Sequence, residues 1–280
     1  MKRAAIIIAV LGMCAGGFAQ ADKPAAQSAP SGQAAPAGKR PPAAKTQPEF
    51  EAYNAAAAQT DPAALEKAAD DFAAKYPQSE LRALLYTTAM QRYQQANNAE
   101  KMIEMGNKVL AIDPDDPAAL VGIAQAIAER TRDTDLDKDQ KVAEAKKNAE
   151  RALVTIDTDV PTSGYPPDKL IAFKGFLRSE AYSILGTLAF KANNWAEAES
   201  NLRKSIDALP QQPDTIAVFR LAVALDMQNK ISEAMKYADQ AVELTKDRPD
   251  SGVGKAARDE KDRLTKLSAG SAPGQPAPKN

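Results

Sequence analysis

The stretch from Ser179 to Pro210, SEAYSILGTLAFKANNWAEAESNLRKSIDALP, carries two runs of helix-spaced apolar residues separated by Asn193-Asn194. Tyr182, Leu185 and Ala189 fall on one face of the first run, Ala198 and Leu202 on one face of the second, and Pro210 closes the unit. Related patterns recur along the chain at about 34-residue intervals. This repetition constrains the fold more than any other feature. A helix pair of that size cannot bury its apolar face alone, so neighbouring pairs must stack into a continuous array.

Five such pairs are legible. The first spans Glu49–Gln59 and Pro62–Tyr76, with Asp61 and Pro62 as cap and first-turn residue. Pair two, from Ala83 to Asp116, carries Tyr86, Ala89, Tyr93, Met102, Val109 and Pro114, with Asn97 and Glu100 placed for a capping box. Pair three begins at Pro117 behind Asp116. Leu120, Ile123, Ala124 and Ile127 mark its first helix, Ala145, Ala149 and Ala152 its second, and Arg132–Gln140 is an insertion between them. After a turn-rich break at Thr158–Gly164, Pro166 to Lys191 reads as one long helix, or two in line, feeding pair four, whose second helix Asn194 and Glu197 can cap. Pair five covers Thr215–Arg248, with Val218, Leu221, Ala222, Leu225, Ala234, Ala238 and Ala241 in register. The charged stretch Gly254–Leu267 suits a polar helix closing the last apolar face.

In pair four, Tyr182, Leu185, Gly186, Ala189, Ala198, Leu202 and Pro210 occupy the signature places of the tetratricopeptide repeat, and the chain resembles that family as it occurs in exported bacterial envelope proteins. The phrase around Phe72 to Ser79 resembles repeat ends in such proteins. Gly186 is the only glycine at the helix-crossing place; Tyr53, Met90, Ala124 and Ala222 hold it in the other pairs. The resemblance implies an all-α fold, a right-handed α-solenoid of about five helix pairs with a C-terminal capping helix. It implies a concave groove lined by the first helices, and a non-enzymatic role in binding a protein or peptide.

The first residues read differently. Met1-Lys2-Arg3 is basic, Ala4 to Gly17 is apolar, and Ala19-Gln20-Ala21 fits a cleavage site, so residues 1–21 are expected to be a signal peptide. Cys14, the only cysteine, sits where a lipoprotein would be acylated, but Met13 before it is too large for that motif. Residues 22–48, rich in Ala, Pro, Gln and Ser, read as a disordered linker, with Lys39-Arg40 too short to form a basic arm. Residues 49–268 form the array, and residues 269–280 a disordered tail. An exported chain cleaved after Ala21, most naturally periplasmic, is the expectation. No further stretch reaches the length of a membrane helix.

Composition narrows the chemistry. The absence of histidine removes the commonest general base and metal ligand. The net charge is −1, with no basic block to suit nucleic acid. No nucleophile–base pair, phosphate loop or metal-spaced cluster stands out, so no catalytic residue, metal or cofactor is expected. Asp133, Asp135, Asp137, Asp139 and Glu144 have the spacing of a calcium loop, but Lys138 stands where that loop needs glycine. A solvated inter-helix loop fits better, with a calcium-responsive module as the weaker alternative. Trp195, the lone tryptophan, suits the core.

Candidate binding residues are the outward positions of the first helices: Thr87, Gln91, Gln94, Val121, Gln125, Ser183, Thr187, Phe190, Phe219 and Val223. This set is largely uncharged and grows apolar toward pair five. Two functions fit: an envelope interaction scaffold that binds a partner through this groove, or a structural module tethered through its disordered tails.

Overall fold

The structure, a computed structural model, describes residues 39–161 and 166–270. The expected signal peptide, its Cys14 and Ala19-Gln20-Ala21, most of the linker, and the tail beyond residue 270 lie outside these residues. Among the described residues the chain is all-α. Helices α1 (Gln47–Ala57), α2 (Pro62–Lys75), α3 (Leu81–Gln95) and α4 (Ala99–Ile112) are followed by α5 (Pro117–Arg130), α6 (Lys138–Asp159) and α7 (Pro167–Lys191). Then come α8 (Trp195–Ala208), α9 (Thr215–Asp226), α10 (Ile231–Leu244) and α11 (Gly252–Gly270). Each helix packs on the next in chain order within α1 to α4 and within α8 to α11, as a solenoid of tetratricopeptide-like helix pairs requires.

The chain folds into two compact units. Among the described residues the first comprises 39–126 with 151–161 and 166–174, the second 127–150 with 175–270. In the first, Leu65, Leu85, Met105 and Val109 are wholly buried, with Phe72, Tyr86, Met90 and Tyr93 around them. In the second, Ala198, Leu202, Leu221, Leu225, Ala234, Ala238 and Leu264 form the core. The aliphatic residues expected in the core of pairs four and five are buried, including Leu185 and Ala189, while Tyr182 is half-buried. Alanines dominate that contact because helices approach closely only where facing side chains are small. Gly186 marks one such close approach: a Cβ there would lie 2.7 Å from Leu202 Cγ. Leu264 of α11 reaches the core, so this charged helix covers the last apolar face as its sequence predicts.

Three of the intra-pair turns share one mechanism. Asn97, Asn193 and Asn229 adopt φ of 55°, 56° and 61°, a left-handed conformation that asparagine tolerates better than most residues. The following amides then reach back to the helix: Asn98 to Tyr93 O at 2.9 Å, Asn194 to Ala189 O at 2.9 Å, and Lys230 to Leu225 O at 2.9 Å. These are Schellman closures, in which orphan carbonyls at the helix end are satisfied by the turn itself. The capping-box assignment for pair two is corrected accordingly. Asn97 terminates α3, and Asn98 caps α4 by accepting from the Lys101 amide at 3.1 Å. In pair four Asn194 caps α8 as expected.

The first helix begins two residues earlier than its sequence pattern, because Thr46 supplies the N-cap. Residues 39–46, which composition assigns to the linker, run as an extended strap against the first unit. Large apolar residues are absent from this segment, as the linker reading noted, but its cations find partners. Arg40 pairs with Glu80, Lys45 Nζ donates to Gln78 O at 3.1 Å, and the Lys45 amide donates to the buried Glu49 carboxylate at 2.7 Å.

Candidate functional site

The first helices of the first unit present Tyr53 from α1, Leu84, Thr87 and Thr88 from α3, and Pro117 and Ala118 from the start of α5. The strap crosses this face, and a cavity of about 110 Å³ lies beneath it. Pro41 and Pro42 form part of its wall, their rings restricting the strap to extended geometry. Phe173 and Val160 supply further apolar surface, while Asp113, Asp116 and Asp159 bring three carboxylates to one end.

Local sequence places each acid. Asp116 caps α5, its Oδ1 accepting from the Ala119 amide at 2.8 Å, and Pro117 occupies the first helical position. Asp113 ends α4 and Asp159 ends α6. The Lys39 ammonium lies between two of them, bonded to Asp113 and 3.5 Å from Asp159 Oδ1, while the Lys39 amide donates to Thr158 O at 3.2 Å. Partial burial acts to lower the Lys39 ammonium, but the two carboxylates outweigh it and hold it above its ordinary value. Burial pushes the Asp116 carboxyl upward, reinforced by Asp113 and opposed by the Ala119 amide and by Lys39, although part of the residue stays solvent-exposed. This end of the cavity therefore favours a cation.

Of the residues that sequence reasoning put in the groove, Thr87 lines this cavity and Gln91 lies one turn further along the same face of α3. Gln91 is buried, and its Nε2 has no hydrogen-bond partner. Gln94 and Gln125 are half-buried, and Val121 is buried. The rest belong to the second unit, and four of them are engaged by neighbouring side chains. Ser183 donates to Asp214 Oδ2 at 3.1 Å, and Thr187 accepts from Arg220 at 2.7 Å. Phe190 meets Trp195 edge-on, ring centroids 5.3 Å apart, while Phe219 packs by Val218, Ala241 and Ala257. Val223 is half-buried. Trp195 is thus part of the packing, though only half-buried.

The residues that build the cavity's polar end, Lys39, Asp113, Asp116 and Asp159, were not singled out as a binding group by sequence. Lys39-Arg40 was too short to register as a basic arm, and each aspartate reads alone as a helix-end residue. The signal was their complementarity, two cations upstream and acid-rich helix ends downstream, which no window of local sequence contains.

The acidic 133–144 loop shows ion pairs within itself. Lys138 Nζ is 2.7 Å from Asp133, and Lys141 is 2.9 Å from Asp137 and 3.4 Å from Asp135. The hydrogen bond from Lys138 lowers the Asp133 carboxyl below its ordinary value. Among the described residues no group of three or more His, Cys, Asp or Glu is arranged to hold a metal ion, and no helix is long and apolar enough to cross a membrane.

The sequence matches no protein-family profile and no curated protein. Solved structures with a similar helical course include a MamA protein, 15% identical, over 73% of this chain and 93% of that one, with a TM-score of 0.48. PilF of Pseudomonas aeruginosa is 16% identical over 80% of this chain and 96% of its own, TM-score 0.49. TTC0263, a thermophilic TPR protein of Thermus thermophilus, is 12% identical over 79% and 99%, TM-score 0.44.

Proposed function

We propose that this chain is a non-enzymatic interaction scaffold, exported from the cytoplasm, that binds an extended segment of a partner protein on the first-helix face of its first unit. Helix-repeat arrays offer long binding surfaces built from side chains of successive first helices. The observation that carries this reading is the strap-covered cavity. It already accommodates an extended, proline-bearing chain by side-chain ion pairs and main-chain hydrogen bonds, as a peptide ligand would be held. The face of the second unit offers less, since Ser183, Thr187, Phe190 and Phe219 are engaged by their own neighbours. Export rests on the basic start, apolar run and Ala19-Gln20-Ala21, and a mature N-terminus at Asp22 by mass spectrometry of the native protein is its test.

A photo-crosslinking residue at Thr88, on the cavity wall, tests the site in the producing cell. Crosslinks to a partner at that position, and none from the same residue placed at exposed Lys67 on α2, support the reading. Equal yields at both positions, or none at either, reject it.

A further inference from the structure

Resting on that reading, we propose that the face beneath the strap selects a partner segment with the chemistry of the strap itself, a Lys-Arg pair followed by prolines in extended geometry, and that residues 39–46 occupy the site in cis until such a segment displaces them.

Three observations converge. The acids at the cavity's end require a cation: Asp113, Asp116 and Asp159 come from three different helix ends, and Lys39 is the group placed between Asp113 and Asp159. Remove Lys39 without replacement and Asp113 and Asp159 lose the cation they share, with Asp116 acting on Asp113 beside them at partial burial, where like charges repel more strongly than in water. A further acid, Glu80, takes Arg40 one residue on, so two adjacent cations are read in order. Beyond them the requirement turns apolar. Pro41 and Pro42 stand against a wall containing Tyr53, Leu84 and Phe173, and this surface suits rings that hold an extended backbone without internal hydrogen bonds.

The strap is also built to be exchangeable. Its side-chain ties are ion pairs at partly exposed positions, which contribute little net stability each, and an exposed bond from Lys45 to the Gln78 carbonyl. Its main-chain bonds to the helices include the Lys39 amide to Thr158 O at one end and, where it runs into α1, the Lys45 amide to Glu49 and the Thr46 carbonyl accepting from the Phe50 amide. What holds it is largely the tether, since continuity with α1 supplies an effective concentration in the millimolar range for a short linker. A free segment of the same chemistry therefore competes poorly with the intact strap and well once the strap is weakened.

The experiment uses the full chain and a fluorescein-labelled peptide with the sequence of residues 38–48, read by polarisation. The Lys39→Ala/Arg40→Ala protein, shown by circular dichroism to keep its helical content, is expected to bind the peptide about tenfold or more tighter than the unaltered protein. Adding Asp113→Asn/Asp159→Asn to that variant abolishes the gain, as does a peptide with Glu at both basic positions. Equal binding by both proteins, or binding that survives these charge changes, overturns the proposal. Should the strap variant unfold, hydrogen exchange on the unaltered protein decides. Millimolar peptide accelerates exchange across residues 39–46 if the segment is displaced, and unchanged exchange overturns it. A peptide-independent dimer by light scattering, formed by strap exchange between copies, also overturns it in favour of a second copy as occupant. If the peptide fails while Thr88 crosslinks persist, the partner's chemistry is wrong and the scaffold reading stands; if Thr88 crosslinks fail, the scaffold reading itself falls.

Discussion

The Arg220 guanidinium donates to the Thr187 hydroxyl at 2.7 Å, joining α9 to α7 across the very face that sequence periodicity marks as outward. Burial pushes the Arg220 guanidinium below its ordinary value, with Asp214 and Glu129 acting against that. A charge drawn this far from solvent is there to hold two helices in register, and Ser183 bonding to Asp214 does the same one turn earlier. The two units thus use the same repeat positions for different ends. In the second unit most of them are spent on internal contacts, and in the first one of them, Thr87, lines the cavity under the strap.

Phe219 tests that distinction. Its ring packs by Val218, Ala241 and Ala257, so Phe219→Ala removes packing atoms rather than a binding anchor. Because the residue is only half-buried, the expected loss is roughly 1–3 kcal/mol, below the range for fully buried Phe. Thermal melting should fall while Thr88 crosslinking is unaffected. A variant that melts normally and loses its partner returns Phe219 to the binding surface.

Gly186→Ala sets two known effects against each other. Alanine gains up to about 1 kcal/mol in helix propensity over glycine. The new Cβ would lie 2.7 Å from Leu202 Cγ and 3.2 Å from its backbone nitrogen, and overpacking of that kind costs about 1–3 kcal/mol. Leu202 is wholly buried and its branch point cannot swing clear, so the clash should win and the melting temperature fall. A rise in melting temperature would mean that α7 and α8 can separate at this crossing.

How far the sequence reached follows from the range of each signal. Helix faces were legible because a 3.6-residue period is local, and Leu185, Ala198, Leu202, Leu221 and Ala234 all lie where that period places them. The caps Asp61 and Asn194 were legible, and that of α4 to within a residue, while Thr46 was missed. The Asn97 error arose because both asparagines of an Asn-Asn turn can cap, and only backbone geometry assigns the left-handed one. Side-chain pairing across helices was not legible. Thr187 and Ser183 read as exposed polar residues because nothing near them in sequence announces Arg220 or Asp214. The strap was missed for the same reason, since Lys39 lies 120 residues from Asp159.

Two carboxylates that tie neighbouring second helices together predict the response to acid. Glu66 on α2 accepts from Lys101 at the start of α4 at 2.8 Å and from the Tyr93 hydroxyl. Glu199 on α8 accepts from Lys230, at the start of α10, at 2.6 Å, from Gln228 at 2.8 Å and from Arg203 at 3.0 Å. Burial acts to raise both carboxyls, but these donors prevail and hold each below its ordinary value of 4.5. A depressed carboxyl binds its proton less readily folded than unfolded. Its contribution is therefore full above the unfolded value and is lost as pH falls through the folded one. The melting temperature should hold from about pH 7 to about pH 5 and decline below that. Glu66→Gln together with Glu199→Gln should lower it near neutrality and flatten the acid decline. An unchanged acid slope would assign the loss to other groups.

Gln91 offers the sharpest separation of stability from function. Its side chain is buried on the strap-bearing face of α3, and its Nε2 donates to nothing. A buried donor left unmatched costs about 1–3 kcal/mol. Methionine has nearly the same length and no donor, so Gln91→Met should stabilise the protein by about 1 kcal/mol, a rise of roughly 2–4 °C for a chain of this size. If that donor serves a carbonyl of the bound partner, one turn beyond Thr87, the same variant should give weaker crosslinking from Thr88. A protein that melts higher and crosslinks less locates the cost of binding readiness at this residue. One that melts lower shows that the Gln91 carboxamide already has a role in the fold, and one that melts higher with full crosslinking removes Gln91 from the binding face.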